Sequence, residues 1–201
     1  LKPDCTYQVE IVGASGVKET IEIITKAEFV TLNVREFGAK GDGQHDDTLA
    51  IQAAIMACPK EGRVLIPKGT YRITSLFLKS DLQLELAKDA VLAAETDRNR
   101  YPIYPGLIES YNEMREYNLG TWEGNPLPMF TGIITGINVE NVIIYGEGTI
   151  DGRAGESDWW ENAEVMRGAF RPRLIFLNNC KNITVQGINL KNSPSWTVHP
   201  Y

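Results

Sequence analysis

The chain has 201 residues, 43% of them hydrophobic, with a formal net charge of -6 and a pI near 5.1. That supplies a sizeable core for one or two domains. The well-mixed charge, without a basic stripe, speaks against a nucleic-acid partner, which needs clustered Lys and Arg. No apolar run approaches the roughly 20 residues of a membrane span, so no membrane partner is expected.

The opening segment alternates Val9 and Ile11 with Gln8 and Glu10, and a second alternating run covers Lys18 to Thr25. Period-two alternation marks half-buried antiparallel strands, and the intervening "GASG" reads as a hairpin connection. Two strands alone bury no stable core. With Leu1, Pro3 and Tyr7 spaced L-x-P-x-x-x-Y, the stretch resembles the last two strands of a fibronectin type III sandwich, Tyr7 taking the place of its tyrosine corner. The alternative is a decorative hairpin. The resemblance sets domain bounds of 1–27 for the partial sandwich and 28–201 for the rest, and implies a chain cut at both ends.

From Phe29 the pattern becomes strand, Gly-rich turn and one helix, predicted from Asp46 to Cys58. Asp46 or Asp47 stands at the N-cap, where a carboxylate suits the positive helix terminus. Leu49, Ala50, Ala53, Ala54 and Ala57 are expected to form its buried side. The turn lacks both phosphate-loop spacings, so the segment reads as a capped structural helix.

Beyond it come many short runs rich in Val, Ile, Leu, Thr and Phe. "NVENVIIYGEGTIDG" aligns with "NCKNITVQGINLKNS", putting Asn141 over Asn182, Val142 over Ile183, Ile144 over Val185 and Gly146 over Gly187. Asp81, Leu82 and Leu84 fit the same frame. A unit this small cannot bury its own apolar face, whereas stacked units can. Repeated Asx residues at one turn allow side-chain amides to ladder. The fold expected is all-β, a right-handed parallel β-helix with its first end plugged by the helix; an ordinary β-sandwich is the alternative. Two insertions, about 96–128 and 153–172, interrupt the repeat, and solenoid insertions often build the binding face. Their aromatic rings either stack on sugars or pack the loops onto the tube.

The ordered series "EFGAKGDGQHDDTLAIQAAI", "GRVLIPKGTYRI", "IYGEGTIDG", "DWW" and "RPRLIFLNNCKNITVQGINLKNSPSWTVHP" closely resembles the polygalacturonases, glycoside hydrolase family 28. A sandwich module ahead of the β-helix resembles the bacterial exo-acting members. The resemblance implies inverting hydrolysis of α-1,4-galacturonan, a pectic polysaccharide or oligogalacturonide as partner, no metal or cofactor, and a secreted or periplasmic location. It also implies catalytic acids in an Asn-Thr-Asp motif and an Asp-Asp pair, with Gly-His-Gly and Arg-x-Lys motifs after them. The sequence has no Asn-Thr-Asp and no Gly-His-Gly, its one Asp-Asp (Asp46-Asp47) lies in the capping segment, and Arg171-Pro172-Arg173 is not Arg-x-Lys. Catalytic residues are therefore assigned to none of these positions, and this chain alone is expected to be inactive. The other reading is a non-catalytic carbohydrate-binding or adhesive β-helix. A calcium-dependent lyase would need a carboxylate cluster that the sequence does not suggest.

The substrate-binding candidates are His199, Thr197, Tyr201, Arg171, Arg173 and Trp160. With Trp196 and Val198 pointing inward, Thr197, His199 and Tyr201 would face the groove. His199 then binds a sugar hydroxyl or carboxylate, or it packs under a loop. Arg171 and Arg173 grip carboxylates or bond local carbonyls. Asp151 reads as an Asx turn beside Gly152, Asp158 as a loop or cap residue, and Glu85 and Glu147 as solvated faces. The three cysteines (Cys5, Cys58, Cys180) match no zinc spacing and read as buried thiols.

Overall fold

The computed structural model describes residues 5–25, 30–107 and 119–201. The boundary expected at 27/28, Leu1 and Pro3, and 108–118 of the first insertion lie outside the described residues. The chain opens with an antiparallel hairpin, β1 (Thr6–Val12) and β2 (Lys18–Ile24), in which Tyr7 faces Ile23 and Val9 faces Ile21. The tube begins with β3 (Thr31–Asn33) and β4 (Asp42–Asp46), followed by α1 (Thr48–Ala57). The next turn holds β5 (Arg63–Ile66) and β6 (Gly69–Ile73). One full coil follows as β7 (Leu76–Phe77), β8 (Gln83–Leu86) and β9 (Ala90–Ala94). The first insertion carries β10 (Ile103–Tyr104), which pairs antiparallel with β11 (Met129–Phe130). Further coils are β12 (Ile134–Ile137), β13 (Glu140–Gly146) and β14 (Thr149–Asp151), then β15 (Ile175–Asn178), β16 (Lys181–Gln186) and β17 (Asn189–Lys191), then β18 (Val198–Pro200).

Like strands of successive coils pair in parallel, giving sheets ordered β18-β15-β12-β7, β16-β13-β8-β5-β3 and β17-β14-β9-β6-β4. This is the right-handed parallel β-helix expected from the repeat, with the hand that crossovers between parallel strands take. The alignment read from the sequence is the register: Val142 pairs Ile183, and Ile144 pairs both Val185 and Leu84. Inward columns follow from it. Leu76, Ile134 and Ile175 stack in one wall, Val64, Leu84 and Ile144 in the second, and Tyr71, Leu92 and Ile150 in the third, all fully buried. Each such side chain contributes about 1.5–3 kcal/mol.

The turn between the first two walls carries the Asx ladder. Asp81, Asn141 and Asn182 all adopt left-handed backbone, with φ of 57°, 57° and 53°. Asn141 Nδ2 donates to Asp81 Oδ1 (3.0 Å), and Asn182 Nδ2 donates to Asn141 Oδ1 (3.1 Å). Asparagine suits both needs, since it tolerates this conformation and its amide donates and accepts at once. Asn141→Ala is expected to cost about 2–3 kcal/mol, from backbone strain plus two lost bonds, read as a shifted urea midpoint; a change below about 0.5 kcal/mol would remove the ladder from the account.

The helix plugs the tube, but on a different face from that expected. Ile51, Ala54, Ile55 and Cys58 are buried, whereas Leu49 is 83% exposed. The buried stripe runs i, i+3, i+4, i+7 from Ile51, so counting alanines placed the inner face wrongly. Asp47 is the N-cap residue, but its side chain makes no capping bond. Asp46 Oδ1 accepts from Thr48 N and Oγ1 (3.1 and 2.6 Å), while Asp47 is fully buried and accepts from Lys40 N and Gly41 N (2.7 and 2.9 Å). Gln52 closes the outer edge of β7: its Oε1 accepts from Phe77 N (2.7 Å) and its Nε2 donates to Phe77 O (2.9 Å). Glu85 is not solvated as expected; it is buried and bonds Arg63 and Tyr145 on neighbouring coils. Cys58 is buried and Cys5 and Cys180 are half-buried, all as free thiols.

Candidate functional site

Both insertions and the segment before β18 converge on one side of the tube. The second insertion is fastened first. Arg98 Nε donates to both oxygens of Asp158 (3.0 and 2.9 Å), Arg167 Nη1 adds a third bond (3.1 Å), and the Arg98 guanidinium lies 4.7 Å from the Trp159 ring centre. Trp159 is 1% exposed and meets Tyr101 and Phe130 edge-on. Adjacent rings therefore divide: Trp159 packs the loop onto the tube, and Trp160 is left 54% exposed on the outside. Asp151 forms the Asx turn expected, accepting from Arg153 N (3.0 Å) and from Asn192 Nδ2 (2.8 Å).

Asp46, Glu95 and Asp158 are the carboxylates that tie this side together. Burial opposes ionisation of Asp46 and Glu95. Hydrogen bonds from Thr48 to the one, and from the Asp97 and Thr96 N–H groups to the other, with Arg100 beside both, outweigh it. The Arg98 bonds hold Asp158 down as well. All three therefore sit below their ordinary values of 3.8, 4.5 and 3.8. A depressed carboxyl contributes stability above its unfolded-state value and loses it as pH falls through its folded-state value. Melting temperature should accordingly decline as pH drops from 4.5 toward and below 3.8. A Glu95→Gln, Asp158→Asn variant should be less stable at pH 7 and show a shallower decline, and an unchanged slope would contradict this.

Above this base lies an open pocket of about 320 Å³, lined by Trp122, Glu123, Trp160, Arg171, Ser195 and Trp196. Trp122 stacks on Phe170 (4.6 Å) and meets Trp196 edge-on (5.0 Å). The Arg171 guanidinium lies 4.1 Å from the Trp160 ring centre and 5.4 Å from that of Trp122. Its Nη1 donates to Pro194 O (2.9 Å), and its buried Nε has no hydrogen-bond partner. Among the described residues it has no carboxylate partner. Indole faces take the C–H face of a sugar ring, and a guanidinium takes a carboxylate, so the lining suits an acidic sugar.

Of the candidates read from sequence, Arg171 and Trp160 line this pocket. Arg173 lies behind it, fully buried between the rings of Trp122 and Trp196, and donates to Thr121 O, Arg171 O and His199 Nδ1. His199 is partly buried against Trp196 (5.4 Å), and Tyr201 lies edge-on to it (6.3 Å). Thr197 is exposed and does not line the pocket. Trp196 does not point into the tube as expected: β18 begins only at Val198, so strand alternation does not reach back to Trp196, which turns outward into the pocket at 41% exposure. Trp122 and Glu123 were missed because nothing periodic marks them; the one signal was an aromatic-rich insertion. Among the described residues no three His, Cys, Asp or Glu side chains gather as a metal site.

Known proteins are similar to this chain in sequence and fold. The model of "Glycosyl hydrolases family 28" matches residues 110–200, and that of "Rhamnogalacturonase A/epimerase, pectate lyase-like" matches 31–85. A Vitis vinifera protein named "Probable polygalacturonase" is 36% identical over 82% of this chain and 33% of its own length. The "Exo-poly-alpha-D-galacturonosidase" of Dickeya chrysanthemi is 30% identical over 97% of this chain and 32% of its own. The solved "Family 28 Exopolygalacturonase" of Yersinia enterocolitica superposes with a TM-score of 0.70 at 26% identity, covering 96% of this chain and 41% of that one. The chain spans about a third of the length of these curated relatives. By family model, by relatives and by fold, the chain is a member of glycosyl hydrolases family 28.

Proposed function

We propose that the protein containing these residues hydrolyses α-1,4-galacturonan with inversion of configuration, and that this chain supplies part of the substrate-binding wall. The observation that carries the reading is the pocket of Trp122, Trp160 and Trp196 around an Arg171 that has no acid partner among the described residues. The names of the Vitis vinifera and Dickeya chrysanthemi relatives point to the same substrate. Inversion needs an acid and a base carboxylate roughly 6.5–9.5 Å apart. Among the described residues Glu123 is the one carboxylate that lines the pocket, and on this reading the catalytic pair lies beyond these 201 residues. The hairpin belongs, on this reading, to a fibronectin III-like module bounded at 1–27, and 28–201 to the β-helix. An exo-acting enzyme of a secreted or periplasmic compartment fits a polymeric, extracellular substrate. No helix of the described residues is long and apolar enough to cross a membrane.

The test is release of reducing ends from polygalacturonate by the intact protein, with the anomer of the first product read by proton NMR. Inverted product is expected, and a retained anomer would refute the mechanism. Trp160→Ala should weaken trigalacturonate binding about tenfold, the scale of one lost stacking contact. Binding without any turnover by the intact protein would favour a carbohydrate-binding β-helix instead.

A further inference from the structure

Arg173 is a buried cation whose neighbours among the described residues include no carboxylate. Two indole faces and two backbone carbonyls hold its guanidinium, and Nη1 also meets the Met129 sulfur at 3.3 Å. Its remaining direction is spent on one side chain: Nε donates to His199 Nδ1 at 3.1 Å. Burial pushes the Arg173 guanidinium down to about 10, which still leaves it a cation at neutral pH, so Nε–H is the donor and Nδ1 the acceptor. A neutral imidazole accepting at Nδ1 must carry its proton on Nε2. The ring is then fixed from the other sides, by Phe176 of β15 (5.7 Å), by Trp196 (5.4 Å) and by Tyr201 (6.3 Å). Protonating Nδ1 would break this bond and set two cations side by side. Burial, and then the charge of Arg173, hold His199 below its ordinary value, which agrees with that geometry.

We propose that Arg173 is a positioning residue: it locks His199 as the Nε2–H tautomer, so that His199 offers one donor and no acceptor to an oxygen of a sugar held in the adjoining tryptophan pocket. The second half rests on the proposed pectic substrate; the first half does not. The site thereby reads an acceptor atom, a hydroxyl or carboxylate oxygen, at the edge of the pocket beyond Trp196. Arg173 itself acts through His199 and has no open route to the substrate.

Nitrogen-15 NMR of the intact protein at pH 7, with the His199 signals identified by their loss in His199→Gln, reads the tautomer directly. A bare Nδ1 and a protonated Nε2 are expected, and a protonated Nδ1 overturns the proposal with no variant needed. In Arg173→Met the two tautomers should mix and the titration midpoint of His199 should rise; an unchanged tautomer overturns the assignment to Arg173. His199→Ala should raise the Kd for trigalacturonate about five- to tenfold, one neutral hydrogen bond, with partial recovery in His199→Gln, whose amide still donates. An unchanged Kd in His199→Ala, alongside a weakened Trp160→Ala, refutes the donor role while leaving the pocket standing. If neither variant weakens binding, the substrate reading fails separately from the tautomer.

Discussion

Gly146→Ala is expected to remove a large part of the fold's stability. Gly146 closes β13 with a φ of 123°, in a region that side chains rarely enter, and pairs with Leu86 of the preceding coil. A Cβ there would lie 2.0 Å from the Leu86 carbonyl oxygen and 2.9 Å from its carbon. Neither atom can yield, because both belong to the backbone of a buried sheet. Backbone strain of about 1–3 kcal/mol adds to overpacking of similar size. The sum, about 4 kcal/mol, is a large part of the roughly 5–15 kcal/mol that holds a domain together. The same approach recurs one coil on, where a Cβ on Gly187 would lie 2.5 Å from the Gly146 oxygen. Gly155, whose Cβ would meet nothing within 4 Å, is the control, and Gly155→Ala should stay within about 0.5 kcal/mol of the parent. Urea denaturation decides it: a Gly146→Ala loss below about 1 kcal/mol would mean the coils can part at this corner.

Arg171→Gln should carry the largest effect on ligand binding, a loss of about 30- to 100-fold for trigalacturonate, the scale of a charged hydrogen-bonded pair. Burial lowers the Arg171 guanidinium, but the group remains a cation at neutral pH. The Pro194 carbonyl and the Trp160 and Trp122 rings hold the guanidinium in place, so a ligand carboxylate would meet it without further ordering. Glutamine keeps a donor and loses the charge. Binding of a neutral galacto-oligosaccharide of equal length should change little, and the parent's preference for the acidic ligand should shrink as salt rises. Equal losses for both ligands would show that Arg171 merely supports the indoles.

The tube was legible because its information is local and repeated. Asn141 and Asn182, and Ile144 and Val185, stand at one spacing in the sequence; the sheet pairs Ile144 with Val185, and the amides of Asn141 and Asn182 bond. The helix was legible as an element but not in its rotation: alanines at Ala50, Ala53 and Ala57 suggested one face, and the bulkier Ile51 and Ile55 took the other. The pocket was less visible. It joins Trp122, Trp160, Arg171 and Trp196 from separate excursions with no common period, so only Trp160 and Arg171 stood out in advance. Trp196 was misread because its direction depends on where a strand begins, a matter of one or two residues. The sequence offers Arg173 as a carboxylate binder or a donor to local carbonyls, and only its burial between two indoles, which depends on Trp122 some 50 residues earlier, decides for the carbonyls.

The side-chain amide of Gln52 stands where another strand would otherwise lie along β7. With that edge of β7 satisfied, this wall can extend only toward β12, its partner in the next coil. The wall that starts at β7 is then laid in the order in which the ribosome releases β7, β12, β15 and β18, and the Gln52 amide keeps a neighbour's strand from adding at Phe77.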